Sequence, residues 1–192
     1  MYKELLSVIA IALTFVAFFP YIHSILKGKT KPHVFSWVIW GSTTFVVFLA
    51  QLADKGGAGA WPTGVSGLIT IYVAFLAYIK KSDSTISRTD WMFFLAAMCS
   101  LPLWYFTSNP LWAVVILTLV DVIGFAPSFR KAYIYPFEEQ ITFFVIIAVR
   151  NLISILALAH YSLTTVLFPL ITAIACLMFI LMVTYRRRVI AG

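Results

Sequence analysis

Apolar runs of 16 to 23 residues alternate with short polar breaks seven times along the chain, at 5–22, 34–53, 62–79, 91–106, 110–129, 141–159 and 163–185. A hydrocarbon core about 30 Å thick takes roughly 20 apolar residues as helix, since each residue advances about 1.5 Å. The pattern therefore predicts seven transmembrane helices. Helix breakers fall between the runs. Asp54-Lys55-Gly56-Gly57-Ala58-Gly59 separates the second from the third as a loop, and Lys80-Lys81-Ser82-Asp83-Ser84-Thr85 separates the third from the fourth. Thr89 or Asp90 is placed to cap the fourth helix, and Ser108-Asn109-Pro110 caps the fifth with proline in its first turn. The first run carries too little charge for a mitochondrial presequence and no small-residue cleavage site, so it reads as a retained helix.

Composition sharpens this picture. With 62% hydrophobic and 11% charged residues, the chain falls far below the roughly 25% charge of soluble domains, and the bilayer is its expected solvent. Lys27, Lys29, Lys31, Lys80, Lys81, Arg88, Arg130, Lys131, Arg186, Arg187 and Arg188 all fall on one side of the seven spans, which is 11 of the 14 Lys and Arg residues. Lys3 and Lys55 fall on the other side, and Arg150 lies inside a helix. Cytoplasmic loops collect Lys and Arg, so the N-terminus is expected outside and the C-terminus in the cytoplasm. The net charge of +7 then meets anionic lipid headgroups and needs no nucleic acid. Minimal loops point to a bacterial inner membrane. Trp61, Trp104 and Trp112 belong to the outer interfacial belt and Trp91 to the inner one.

The chain also repeats itself. Adding 107 to a position in the first part lands on a counterpart in the second: Pro20 on Pro127, Thr14 on Asp121, Trp37 on Phe144, Trp40 on Ile147, and Thr43 and Thr44 on Arg150 and Asn151. For the third helices the offset becomes 102, which sets Leu68-Ile69-Thr70 on Leu170-Ile171-Thr172; the longer Gly-rich loop absorbs the difference. A single extra helix between two three-helix units gives both units the same orientation. The expected fold is thus an all-α membrane protein of two parallel three-helix-bundle repeats, 1–81 and 108–188, joined through the loop and linker helix of 82–107, with 189–192 as a tail.

With these features the chain resembles the SWEET and PQ-loop transporter superfamily, built as three plus one plus three helices with the N-terminus outside. Pro20 and Pro127 match the proline of that family's Pro-Gln motif, with Tyr21 and Ser128 in place of the glutamine. Thr70 and Thr172 stand nearest to the asparagines that a SWEET sugar site carries on its third helices. Trp37-x-x-Trp40 resembles the paired tryptophans of the nicotinamide riboside uptake family. The resemblance implies transport of a small solute.

Candidate chemistry lies at mid-depth. Asp121 and Arg150 each sit roughly 14 Å from the same end of consecutive helices. A lone charge at that depth costs about 2.5–3.5 kcal/mol on insertion scales. Either the two bridge each other and tie the helices together, or they face a substrate or proton path. Trp37, Trp40 and Thr44 share a face of the second helix, and the matching face of the sixth carries Phe144, Ile147 and Asn151. An aromatic shelf opposite an amide and a guanidinium suits a flat polar solute, although an aromatic stripe also serves as core or lipid-facing filler. The substrate-binding set is therefore Trp37, Trp40, Thr44, Asp121, Phe144, Arg150 and Asn151, with Pro20 and Pro127 as hinges because each removes a helical hydrogen bond.

Nothing in the sequence points to an enzyme, a metal or a cofactor. Cys99 and Cys176 read as packing residues inside helices, and His23, His33 and His160 lack ligand spacing. The expected function is a facilitator or proton-coupled transporter for a sugar, nucleoside, vitamin or amino acid, working by alternating access. Its partners are that small-molecule solute and membrane lipids, and homo-oligomerisation is compatible with the architecture. The alternative is a receptor or sorting protein: the KDEL receptor resembles the same architecture yet binds a peptide.

Overall fold

A computed structural model describes residues 2–28, 34–80, 88–134, 136–138 and 141–191, without the side chains of Ser36, Thr89, Asp90, Phe93, Ala126, Pro127, Ser128, Arg130, Lys131, Glu138 and Ala191. Lys29, Lys31, His33 and Lys81 lie outside the described residues. Seven α-helices occupy the places of the seven apolar runs: α1 (Tyr2–Leu26), α2 (Val34–Ala53), α3 (Trp61–Ile79), α4 (Arg88–Thr107), α5 (Pro110–Ile134), α6 (Ile141–Ala157) and α7 (Leu163–Ala191). Short 3-10 turns stand at Gly57–Ala60 and Pro136–Glu138. Three of these segments, Tyr2–Leu26, Gly57–Ile79 and Leu163–Ile190, are long and apolar enough to cross a membrane, and the remaining helices contribute shorter apolar stretches. A helix satisfies its own backbone polar groups, which is what a chain in hydrocarbon requires. Leu5, Val8, Phe15, Phe19, Leu119, Ile123, Met178 and Leu181 are all exposed on the bundle surface, as expected where the neighbouring medium is lipid.

Several helices outrun their apolar runs. Both α5 and α7 continue beyond the runs, through Arg130 and Lys131 in one case and Arg186–Arg188 in the other. Lys and Arg are good helix formers whose long stems reach back along apolar surface. Arg186 Nε donates to the Tyr133 carbonyl at 3.0 Å, and Arg187 Nε to the Pro136 carbonyl at 3.0 Å. At the start of α4 the helix already includes Thr89 and Asp90, so neither is a flanking cap residue. For α5 the cap is Asn109, whose Oδ1 accepts from the Leu111 N–H at 2.9 Å.

Packing follows a simple scheme. Helix α3 packs on α1 and α2, α7 packs on α5 and α6, and the two sets meet where α1 lies on α6 and α2 on α5. Helix α4 leans on α5 and more lightly on α2. Exchanging α1 with α5, α2 with α6 and α3 with α7 leaves all of these contacts unchanged apart from those of α4. Burial follows the same offset. Gly41, Thr43, Thr44, Val47, Ala50 and Gln51 are buried on α2, and so are Ala148, Arg150, Asn151, Ser154, Ala157 and Leu158, 107 positions later. Helices α2 and α3 approach closely because glycines face the partner backbone: a Cβ on Gly41 would lie 2.9 Å from the Ile71 nitrogen, and one on Gly67 would lie 3.0 Å from the Phe45 nitrogen.

The Gly-rich segment is not the open loop expected from its composition. Residues Gly57–Ala60 wind into a 3-10 turn that packs on α1, α2, α3 and α6. Gly57 supplies a φ of +63°, a left-handed conformation that costs glycine little. Gly59 lies against α6 so closely that a Cβ would fall on the Leu158 nitrogen and 2.7 Å from the Ala157 carbonyl carbon. Ser7 Oγ donates to the Ala58 carbonyl at 2.6 Å, and the Ala159 N–H to the Gly56 carbonyl at 2.9 Å. Lys3 Nζ donates to the Leu158 carbonyl at 2.6 Å. Ser162 Oγ donates to the Asp54 carboxylate, with His160 Nδ1 3.7 Å from the same group. The end of the bundle that carries the N-terminus is thereby tied across both sets of helices.

Candidate functional site

Polar side chains line the middle of the bundle. Thr14, Thr43, Thr44, Thr70, Thr118, Asp121, Arg150, Asn151 and Ser154 are all buried. Most hydroxyls among them are satisfied on their own helix: Thr14 Oγ1 donates to the Ala10 carbonyl, Thr70 Oγ1 to Ser66, Thr118 Oγ1 to Val114, and Ser154 Oγ to Arg150. Such back-bonding hides a hydroxyl within a helix, at a small cost in helix geometry. These groups ask nothing more of their surroundings.

The two charged residues do. Arg150 is 3% exposed; its Nη1 donates to Asn151 Oδ1 at 2.9 Å, while its Nε has no hydrogen-bond partner among the described residues. Asn151 is anchored in turn, Nδ2 donating to the Ile147 carbonyl at 3.0 Å. Asp121, 9% exposed, makes no hydrogen bond or ion pair among the described residues. No ion pair joins it to Arg150 among those residues. The bridge that would have made the pair purely structural is not formed in this conformation. Cys176 of α7 is a buried thiol in the core cluster that also holds Ile147 and Ala148 of α6.

Packing on either side sets the depth of Asp121. One layer nearer the N-terminal end, Val114 and Leu117 of α5 pack with Val47 and Ala50 of α2 and Phe168 of α7. One turn the other way, Gly124 lies under the Trp40 indole, where a Cβ would come within 2.8 Å of Nε1. Asp121 therefore lies on the buried face of α5, in the interface with α2 near Thr43 and Thr44. Trp40 also meets Trp37 edge to face at 5.8 Å, and Trp37 stacks on Tyr21 at 5.0 Å. The structure thus gathers Trp37, Trp40 and Tyr21 into one aromatic group below Asp121.

Phe144 packs against the same core cluster as Trp37 and Tyr21. Its ring stacks on Phe179 of α7 at 4.0 Å and meets Phe143 edge on, so its immediate partners are core aromatics. Pro20 lies within a continuous α1 with its side chain exposed, and α5 likewise runs on past residue 127, whose side chain lies outside the description. Sequence reasoning passed over Cys176 as filler and gave Tyr21 only as a motif position. The offset of 102 sets Cys176 on Ala74, another buried position, a signal that could have placed it on the inner face.

A cleft of about 440 Å³ lies apart from these residues, at the end of α4 near Leu101, Trp104, Tyr105 and Ser108. Its open walls carry the Trp104 indole and the Tyr105 and Ser108 hydroxyls, with no charged side chain among those four residues. Among the described residues no cluster of three His, Cys, Asp or Glu could hold a metal ion. No model of a known protein family matches this chain, and no curated protein or solved structure matches it either.

Proposed function

We propose that the chain is a seven-span transporter of a small polar solute, built from two parallel three-helix units, 1–81 and 108–188, joined through 82–107. The observation that carries this reading is the pair of buried charges of the second unit, Asp121 and Arg150, which form no ion pair with each other. Each costs about 2.5–3.5 kcal/mol at mid-membrane on insertion scales, and a polar occupant offsets that cost. The neighbour scheme, unchanged when the units are exchanged, supports a pseudo-twofold axis along the membrane normal. In this reading the N-terminus and the Gly57–Ala60 turn lie outside, the C-terminus lies in a bacterial cytoplasm, and the described conformation is sealed on the outer side. Pro20 and Pro127 serve as hinges about which the units rock, while Trp37, Trp40, Thr44, Asn151 and Phe144 complete the surroundings of the solute.

The orientation has its own test. Single cysteines at Lys27, Lys80 and Arg188 should be shielded from an impermeant thiol reagent applied to intact cells, and one at Lys55 should react, because Lys and Arg collect on the cytoplasmic side. The reverse pattern overturns it. Transport itself is tested in liposomes: a solute that raises the melting temperature of the purified chain should cross in a saturable way. Binding without flux would replace the transporter by a receptor of the same architecture.

A further inference from the structure

We infer that the solute is a zwitterion of the α-amino acid type, its carboxylate taken by Arg150 and its ammonium by Asp121. This rests on the reading of these two residues as a solute site. It goes further by choosing among the chemical classes which such a site could take.

The choice follows from charge balance. Arg150 of α6 and Asp121 of α5 carry opposite charges, lie on two helices of the same three-helix unit, and are buried with no ion pair between them. A neutral sugar could donate and accept hydrogen bonds here, but both full charges would remain uncompensated in a low-dielectric interior, where solvation by neutral groups is a poor substitute for water. An anion would answer Arg150 and crowd its own charge against Asp121. A cation would do the reverse. Only a solute with both signs, separated by a short covalent link, offsets both residues at once, and it also enters the membrane with no net charge.

The local geometry agrees with this assignment. Arg150 already spends Nη1 on Asn151, which fixes the guanidinium, and leaves Nε without a partner. A carboxylate is the acceptor that best matches a guanidinium fork. Beside Asp121 the neighbouring turn offers no competing cation: Gly124 follows at the next position on that face, covered by the Trp40 indole. That indole supplies an aromatic surface one turn from Asp121, against which a hydrocarbon side chain can pack.

The test is a thermal-shift and equilibrium-binding series on the full-length detergent-solubilised chain, with each of the twenty L-amino acids, glycine betaine and taurine as probes. D-glucose, D-ribose and nicotinamide serve as neutral probes. At least one zwitterion should bind, and its N-acetyl and amide derivatives, each lacking one charge, should bind about 30-fold more weakly or worse, the fold-change expected from stranding one member of a buried charge pair. Arg150→Gln should remove the preference for a free carboxylate and Asp121→Asn the preference for a free ammonium. Should either variant fail to fold, Arg150→Lys and Asp121→Glu retain the charges and should retain the discrimination. Binding of a neutral probe alone, equal binding of the blocked derivatives, or no binding by any zwitterion overturns the inference. Zwitterion binding without flux in liposomes would leave it standing and remove only the transporter, whereas saturable flux of a neutral probe without zwitterion binding would do the opposite.

Discussion

Replacing Arg150 with Met is expected to raise the thermal stability of the solute-free protein while abolishing its response to solute. The guanidinium is buried, has an unpartnered Nε and makes no ion pair with Asp121 among the described residues. Removing it relieves a burial cost of about 2.5–3.5 kcal/mol and gives up the bond to Asn151 Oδ1, worth about 1–3 kcal/mol for a charged donor and a stranded acceptor. The balance is a gain of about 1 kcal/mol, or roughly 2–4 °C in melting temperature for a chain of this size. A structural bridge gives the opposite sign, because stranding the carboxylate of a buried pair costs about 3–5 kcal/mol. Calorimetry or thermal-shift measurement with and without a bound solute reads both parts of the result. A marked fall in stability together with an intact solute response would identify Arg150 as a structural residue.

The second large effect is expected at Gly59→Val. Backbone atoms of Ala157 and Leu158 occupy the space that any side chain at this position needs, and backbone cannot rotate out of the way. The 3-10 turn must then lift from the end of α6, taking with it the bonds from Ser7 to Ala58 and from Ala159 to Gly56. Overpacking of this kind costs about 3 kcal/mol, which corresponds to a drop of roughly 6–12 °C. It also opens the sealed end. Cys176, buried in the bundle core, is a native reporter of that opening once the exposed Cys99 is changed to Ser. An impermeant thiol reagent applied from the side of Gly59 should label Cys176 in the Gly59→Val protein and spare it in the parent. Equal labelling and equal stability in both proteins would mean that the turn does not seal the site.

By itself, the sequence determined where the helices lie and which faces turn inward. Hydrophobic run length responds to membrane thickness, and the seven runs match seven helices among the described residues, whose bounds at the N-terminal end of the bundle differ from the runs by three residues or fewer. The offset of 107 marked Thr43 and Thr44 with Arg150 and Asn151 as matched positions, and all four are buried.

Only the tertiary structure decided what those inward faces meet. Residues 56–59 read as a loop because glycine has weak preference for regular structure; contact with α6 and hydrogen bonds from Ser7 and Ala159 make that segment a packed turn instead. Phe144 shared a sequence face with Asn151, yet its ring was captured by Phe179 on a helix that the periodicity of α6 cannot see. Asp121 and Arg150 occupy matching places along α5 and α6, but whether they touch depends on how far apart those helices stand, which neither helix's own periodicity records. Periodicity along one helix records which side avoids lipid or water, whereas separations between helices come from close packing across the whole bundle.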